Sequence, residues 1–432
     1  MEKVAENKIV NKYPAYKHSG VEWIEDVPSH WEIKKFKRVF YEIKKRSNPE
    51  LNCGSISFGK VVYKDDEKIP ESTKRSYQVV QKGDFLVNPL NLNYDLISLR
   101  IALSDIDVVV SSGYIVLSNS VKLDKTFYKY FLHRFDVAFM KLLGSGVRQT
   151  LNWNDIANCD LIFPTLPEQT AIAAFLDRKT ALIDQAIDIK QKQIELLKER
   201  RQILIHKAVT RGLNPNVKLK HSGVEWIGQI PEGWEVKRLK HLGNSIIGLT
   251  YNPNDLCGME EGTLVLRSSN LFEGKFKYGE KENAYVKSRI PEKLLIREND
   301  ILICSRNGSR DLIGKCALAT EVDAGHSFGA FTTVFRSDIN PYIFCILNSS
   351  IFKALSGMFL TSTINQLTIG NLNSIEVPIP PTNEMDEVRN YVENINLKVD
   401  TAISLKEQEI EKLKEYKATL INSAVTGKTK VI

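Results

Sequence analysis

Several loops in this sequence carry side chains that can read base pairs. Arginine, asparagine and glutamine form paired hydrogen bonds with guanine and adenine edges, and lysine binds phosphates. Each such residue taken singly is more often a turn residue, since Asn, Gly and Ser favour turns. As a set, they predict contact with bases or phosphates at Lys74, Arg75, Gln78, Arg148, Gln149, Asn152, Arg267, Asn270, Arg306, Asn307, Arg310, Asn365 and Gln366.

No catalytic motif accompanies these candidates. The segment GSRDLIGKC (308–316) resembles a phosphate-binding loop but fails, because five residues separate its glycines where four are needed and Cys316 replaces Ser or Thr. The sequence lacks the Asn-Pro-Pro-aromatic motif of adenine methyltransferases and a Gly-rich adenosylmethionine loop after a strand. The seven histidines have no metal-ligand spacing, and the six cysteines form no Cys-x-x-Cys pair. We therefore expect no bound metal and buried or half-buried reduced thiols.

The composition is that of an ordinary globular protein with a mild basic surplus. Lys plus Arg is 59 and Asp plus Glu is 52, so the net charge is +7, which permits a polyanionic partner without requiring one. No apolar run approaches the roughly 18–20 residues that span a membrane. The N-terminal MEKVAENKIVNKYP lacks the apolar core of a signal peptide. We expect a cytoplasmic protein that does not contact membranes.

The segment KHSGVEWI occurs twice, at 17–24 and at 220–227, which reveals an internal repeat. The longer segments 17–37 and 220–240 are identical at 13 of 21 positions, with Trp23 and Trp31 matching Trp226 and Trp234. The offset between these copies is 203 residues (220 − 17).

Later matches have an offset of 216, so the second copy holds 13 extra residues (216 − 203) between about 241 and 299. They include GDFLVNPLN (83–91) with NDILICSRN (299–307) and SSG (111–113) with SFG (327–329). The chain is therefore a Trp/Pro segment, a domain and a helix, all repeated. The two domains share a framework and differ in content, which predicts two surfaces with different specificities on one scaffold.

A charged helix with heptad periodicity ends each copy. Both apolar seams are interrupted by polar residues at the same three places, which predicts mutual coiled-coil packing rather than two helices packed separately on their own domains. A pseudo-twofold relation between the copies would make the two helices antiparallel. The predicted seam comprises Leu176, Ile183, Ile187, Ile194, Leu197, Leu204, Val399, Ile403, Ile410, Leu413 and Leu420.

Short apolar runs within each domain predict strands, and two longer segments predict helices. The strand candidates are DFLVNP, VVVSSGYIVLS and DLIFP in the first domain and GTLVLRSS, DILICSR, FTTVFRS and SIEVPIP in the second. The helix candidates, 126–144 and 340–358, precede Gly-, Ser- and Thr-rich loops at 144–152 and 361–369. We predict domain ranges of 1–162, 163–212, 213–379 and 380–432.

These features together resemble the specificity subunit of type I restriction-modification enzymes. The resemblance rests on SGVEWIGQIPEGWEVKRLK, on LPEQTAIAAFLD and IPPTNE before the helices, and on the doubling of the whole pattern. LPEQ (166–169) is among the more specific pieces, and PTNEMDEV (381–388) departs from it. The resemblance implies an α+β protein with two α/β target recognition domains in a pseudo-twofold arrangement. An antiparallel pair of long coiled-coil helices would separate them.

The resemblance also implies a non-catalytic role and a set of partners. The expected ligand is double-stranded DNA with a bipartite, asymmetric target, and the expected proteins are two modification and two restriction subunits. S-adenosylmethionine, ATP and magnesium would belong to those subunits, with no cofactor on this chain. Two alternatives remain open at this point: a self-contained DNA methyltransferase or nuclease, and a coiled-coil scaffold that does not bind DNA.

Overall fold

The structure is a computed structural model of the chain. It describes residues 12–21, 23–65, 67, 69–91, 99–140, 149–349, 352, 355–356 and 365–431. Two long helices, the central helix Leu166–Arg211 and the C-terminal helix Thr382–Val425, dominate its helical content. Within the described ranges, no helix is both long enough and apolar enough to cross a membrane.

The chain divides into two compact units, and each contains part of both long helices. The first unit comprises residues 1–190 and 408–432, and the second comprises residues 191–407. Contacts therefore divide both long helices between the units, whereas the four domain ranges predicted from the sequence keep each helix whole. Those four ranges remain predictions.

The first unit is built around a four-stranded antiparallel sheet. Its order is Ile101–Leu103, Phe85–Val87, Ile115–Asn119 and Phe40–Glu42, and buried aromatic rings of the helix Lys125–Ala138 pack in the same core. Its short helices are Phe36–Val39, Glu71–Arg75 and Trp153–Ala157. Its other strands are Tyr16–Val21, Ile24–Pro28, Glu32–Lys35, Gly54–Ser57, Lys60–Tyr63, Gln78–Val80, Leu90–Asn91, Val108–Val110, Gln149–Thr150 and Asp160–Phe163.

The second unit has a central antiparallel sheet of the same design. Its order is Cys316–Leu318, Ile301–Cys304, Thr332–Arg336 and Asn244–Ile247, and the helix Asn340–Leu347 contributes to its core. A short helix, Ile369–Ser374, follows. The other strands are Leu219–His221, Gln229–Pro231, Glu235–Arg238, Leu256–Cys257, Thr263–Leu266, Leu271–Phe272, Lys275–Phe276, Tyr285–Val286, Ser327–Phe328 and Glu376–Ile379. Single 3₁₀ turns are Leu239–His241, Pro253–Asp255, Ser268–Asn270, Glu292–Leu294, Arg310–Leu312 and Glu321–Asp323.

The repeated Trp/Pro segments attach each unit to the start of a long helix. In the first unit the indole nitrogen of Trp31, fully buried, donates to Glu168 Oε1 at 3.1 Å. In the second unit Trp234 donates to Glu384 Oε2 at 2.8 Å. The two hydrogen bonds are repeat equivalents, since Glu384 lies 216 residues after Glu168. The segment PTNEMDEV, although it departs from the first copy, therefore keeps the carboxylate that this contact needs.

The Glu168 carboxylate is held in its charged form. Burial raises its pKa, but hydrogen bonds from Thr165, Trp31 and His30 outweigh burial and leave the pKa below its ordinary value. An apolar residue here would leave the buried indole N–H without an acceptor, which is costly in an apolar core.

The glycine that follows each long helix packs against one of the same two tryptophans. Gly427 follows the C-terminal helix with φ of +73°, and a Cβ there would lie 2.9 Å from Trp31 and 2.4 Å from Pro28. Gly212 follows the central helix with φ of +70°, and a Cβ there would lie 3.2 Å from Trp234. Each tryptophan thus joins the beginning of one helix to the end of the other. Glycine is needed after each helix, because the backbone is left-handed and the ring is close.

Within each unit, the segments of the two long helices run antiparallel and exchange ion pairs. In the first unit Lys417 Nζ lies 2.7 Å from Asp184, and in the second Arg201 lies 2.7 Å from Asp400. These pairs are repeat equivalents, because both partners differ by 216 positions. They are partly exposed, so each contributes little stability, but each cation interrupts the apolar seam and fixes the register.

The predicted α+β class is confirmed, and within each unit the segments of the two long helices pack together. Among the described residues, all eleven predicted seam side chains are buried or half-buried. On the central helix, Leu182 is 56% exposed while its neighbour Ile183 is 7% exposed. The strand candidates of both domains are strands, whereas the hairpins Tyr16–Pro28 and Gly54–Tyr63 were not predicted.

The contrast between Ile183 and Leu182 gives a matched test of the seam. Ile183→Glu should lower the free energy of unfolding by about 3 kcal/mol or more, because an unpaired carboxylate would be buried. Leu182→Glu introduces the same carboxylate at the adjacent, exposed position and should change the free energy of unfolding by less than about 0.5 kcal/mol. Urea unfolding followed by circular dichroism measures both variants. Equal midpoints would contradict the assigned seam.

Candidate nucleic-acid interface

In the second unit, the predicted side chains gather where the central strand Ile301–Cys304 ends. The backbone of Arg306 pairs with Gln366, and Leu367 N donates to Ser305 O at 2.8 Å, so the loop that begins at Asn365 lies beside the strand end. Asn365 Nδ2 donates to Gly308 O at 3.1 Å. The end of the strand Ile301–Cys304 and the segment from Asn365 onward therefore form one surface.

Phe331, the residue before the neighbouring strand Thr332–Arg336, supports this surface. Its carbonyl oxygen accepts hydrogen bonds from the backbone N–H groups of Ser305 and Arg306 and from the Ser305 hydroxyl, at 3.0–3.1 Å. Its ring is 60% exposed, and the Arg306 guanidinium lies 5.4 Å from the ring centroid, within range of a cation–π interaction. No carboxylate among the described residues pairs with Arg306. The structure thus presents an exposed cation on an aromatic ring that is anchored through its backbone.

A cleft of about 590 Å³ adjoins this pair. Phe331, Tyr251, Arg267 and Lys281 line it, together with Ser268. Cations next to aromatic rings and small hydroxyl side chains suit a ligand that carries both phosphates and flat bases.

The remaining candidates of the second unit differ in accessibility. Arg310 is exposed, Asn307 is half-buried with Nδ2 donating to Ser268 Oγ at 2.9 Å, and Arg267 is half-buried and donates to Glu282 O at 3.0 Å. Asn270 is fully buried, and its side chain accepts from Arg267 N and donates to Lys277 O. Asn270 therefore holds the turn that presents Arg267, instead of facing solvent as the sequence predicted.

The first unit has a smaller cleft of about 370 Å³ that shares one wall with the larger one, since Gly113, Tyr114 and Ile115 are the repeat equivalents of Gly329, Ala330 and Phe331. It is lined by residues that include Glu42, Lys45, Tyr114 and Asn152, the last of which is a candidate from the sequence. Asn152 is exposed and caps the helix Trp153–Ala157, with its side-chain oxygen accepting from Asn154 N and Asp155 N.

The loop before Asn152 occupies the same position as its repeat partner in the second unit. Gln149 pairs through its backbone with Asn91, and Thr150 pairs with Leu90. The pair of Thr150 and Leu90 is the repeat equivalent of the pair of Gln366 and Arg306. The two predicted loops thus lie beside the same central strand of their units.

Three other candidates of the first unit do not line its cleft. Gln78 is 2% exposed, and its Nε2 donates to Tyr114 O at 2.6 Å, so it supports the cleft wall from inside. Lys74 and Arg75 lie on the helix Glu71–Arg75, where Arg75 pairs with Glu71 at 2.7 Å on the surface. Arg148 lies outside the described residues.

The cysteines of both units carry free thiols. All six cysteines are free, four of them buried and two half-buried, as predicted. Burial raises the pKa of Cys304, at the end of the central strand, to about 11, so its thiol stays protonated near neutral pH. The described part of the chain contains no cluster of three His, Cys, Asp or Glu side chains that could hold a metal ion.

Sequence reasoning missed several residues that line the clefts, among them Phe331, Tyr251, Lys281, Glu42 and Lys45. Phe331 lies two residues after the SFG match, and its repeat equivalent, Ile115, is only 6% exposed. The exposure of Phe331 depends on the fold and has no local signal in the sequence. Glu42 and Lys45 belong to a charged stretch, EIKKRSN, that resembles any solvated loop.

Comparison with known proteins agrees with this geometry. Residues 28–199 and 231–415 each match the family described as type I restriction modification DNA specificity domain. The type I restriction enzyme MjaVIII specificity subunit of Methanocaldococcus jannaschii is 24% identical, with 94% of both chains covered. The type I restriction enzyme EcoKI specificity subunit of Escherichia coli is 26% identical over 46% of this chain and 44% of that protein.

Solved structures share the fold. One, from work on complex assembly and conformational transition of the type I R-M system, has a TM-score of 0.71 at 15% identity and covers 93% of this chain and 99% of that chain. The HsdS subunit of Thermoanaerobacter tengcongensis has a TM-score of 0.50 at 16% identity, with 93% and 98% covered. The family match occurs twice, and the two matches together extend over most of the chain. The protein is therefore a member of the type I restriction-modification DNA specificity family, with the specificity domain present twice.

Proposed function

We propose that this chain reads a bipartite, asymmetric DNA target, with each unit reading one half-site. The observation that supports this most directly is the pair of clefts, which share a repeat-equivalent wall on the same framework and differ in their other walls. The second cleft combines Arg267 and Lys281 with aromatic rings, whereas the first contains Glu42 and Lys45. Two different linings on one scaffold are what two different half-sites require.

The proposal places catalysis on partner subunits. We infer that two modification subunits and two restriction subunits assemble on this chain, and that S-adenosylmethionine, ATP and magnesium bind to those subunits. A complex that acts on chromosomal DNA in this way would work in the cytoplasm. This chain would supply sequence recognition and a scaffold.

The central helix carries a surface that suits the scaffold role. Four apolar side chains spaced by seven residues lie along one side of it and are 46–56% exposed: Leu182, Ile189, Leu196 and Ile203. Their repeat equivalents on the C-terminal helix are Lys398, Leu405, Lys412 and Thr419, so the stripe is not required by the framework. We assign this apolar stripe to docking of the modification subunits, because exposed apolar rows mark protein interfaces.

Two other functions make different predictions. A self-contained methyltransferase would bind S-adenosylmethionine as the purified chain, which isothermal titration can measure, and a self-contained nuclease would cleave duplex DNA as the purified chain with magnesium. A scaffold that does not bind DNA would leave a random duplex unshifted at low salt. Each of these outcomes would contradict the proposal, which expects no binding of S-adenosylmethionine by this chain and salt-dependent binding of DNA.

The division of labour can be tested by a domain exchange. Replacement of residues 38–162 with the equivalent domain of a relative should change one half of the methylated motif and leave the other unchanged. Methylome sequencing of cells that carry the chain with its partner subunits reads both halves at once. Changes in both halves, or in neither, would rule out two independent readers.

Arg306 should contribute to the half-site of the second unit. If its guanidinium pairs with guanine, Arg306→Ala costs about 1–3 kcal/mol at one base pair and relaxes discrimination there. If it contacts phosphate alone, binding weakens uniformly and the salt slope falls by about one. Binding is measured with the modification subunit present, on the target and its single-base variants, at two salt concentrations. Arg289→Ala, an exposed arginine that does not line the cleft, is the control, and Arg306→Ala with affinity and selectivity equal to that control would show no DNA contact.

The apolar stripe should be needed for assembly and not for folding. Leu196→Glu should abolish co-purification of the modification subunit, because a carboxylate would be buried in the interface. Gln193→Glu adds the same charge to an exposed position outside the stripe and should assemble normally. Circular dichroism checks that both variants are folded. Normal assembly of the Leu196 variant would show that the modification subunit docks on another surface.

A further inference from the structure

A carboxylate lines the cleft of the first unit. Glu42 ends the strand Phe40–Glu42 and is exposed, and it shares the cleft with Lys45 and Asn152. Within the described residues, no cation pairs with Glu42 and no group donates a hydrogen bond to its side chain. Lys45 Nζ donates to the Ser112 carbonyl oxygen at 2.8 Å instead. Among the described residues, Glu42 is therefore a cleft carboxylate without an ion-pair partner, on a chain whose net charge is +7.

The equivalent position in the second unit has no charge. Glu42 pairs with Leu117 across the central sheet, and Ile247 pairs with Thr333. Leu117 and Thr333 are repeat partners with the offset of 216. Since Ile247 occupies the place of Glu42 in the same framework, the framework does not require a carboxylate there. Glu42 thus belongs to the content that differs between the two units.

A carboxylate on a DNA-binding surface is repelled by phosphates, and a hydrogen-bond donor on a base would offset that repulsion. The major groove presents two, the exocyclic amino groups of cytosine and adenine. Adenine also presents the N7 acceptor beside its amino group, which would repel a carboxylate, whereas cytosine has no acceptor there. The chemistry of the site therefore favours cytosine.

We propose that Glu42 accepts a hydrogen bond from the N4 amino group of a cytosine in the half-site read by the first unit. This inference rests on the proposed function, because it assigns one specificity-determining contact within that unit. The unit with Ile247 in the same place should have no corresponding requirement for cytosine.

The test compares Glu42→Ala with Glu50→Ala in the complex with the modification subunit. Glu50 is an exposed carboxylate of the same unit that does not line the cleft, so its variant controls for net charge. Binding is measured on the target, on every single-base variant of both half-sites, and on unrelated duplex. Glu42→Ala should lose discrimination at one cytosine position by roughly 5- to 150-fold. Its affinity for unrelated duplex should be unchanged or higher, because a charge that repels phosphates is gone.

Three results would overturn the assignment. Discrimination equal to that of Glu50→Ala at every position would show that Glu42 reads nothing. A uniform loss of affinity on all duplexes, including unrelated DNA, would show a structural role. Lost discrimination in the half-site of the second unit would show that Glu42 does not contact the half-site of its own unit. A wild-type complex without any preferred sequence would overturn the proposed function itself, and that outcome is visible before any variant is tested.

Discussion

The hydrogen bond from a buried indole to a helix-initial carboxylate is the contact on which this architecture depends. Trp31 with Glu168, and Trp234 with Glu384, join each recognition unit to the start of a long helix. Because the same rings also pack near the glycine that ends the other helix, each unit is attached to both helices at once. This explains why the Trp/Pro segment must occur twice, since each unit needs its own.

The contacts between the two long helices are also repeated. The ion pair of Lys417 with Asp184 and the ion pair of Arg201 with Asp400 are repeat equivalents. In each, the cation of one long helix pairs with an aspartate of the other. Equivalent defects in the seam thus specify one register without contributing much stability. On the side away from the seam, the apolar stripe of the central helix has only Leu405 as an apolar counterpart on the C-terminal helix. What is shared between the copies serves folding, and what differs is available for recognition.

The sequence was informative wherever a physical rule acts locally. Heptad periodicity predicted the seam, and offsets of 203 and 216 predicted the shared framework, because both follow from spacing alone. The sequence did not predict which of the candidate side chains are exposed to solvent. Gln78 and Asn270 have the amide chemistry of base-reading residues, yet both are buried and hold loops, since an amide satisfies a backbone group as well as it does a base. Phe331 was overlooked because an aromatic residue in an apolar run predicts core, and only the fold brings its ring into solvent beside Arg306.

The central claim is that the two equivalent clefts contact opposite halves of one DNA target. Site-specific photo-crosslinking tests it most directly, with benzoylphenylalanine placed at Phe331 or at Tyr114, which line the clefts of the second and the first unit. The complex with its modification subunit is irradiated on target DNA, and the crosslinked bases are mapped. The account predicts crosslinks from each position to a single half-site, and to different halves for the two positions. Crosslinks from both positions to the same half, or to the gap between the halves, would contradict it.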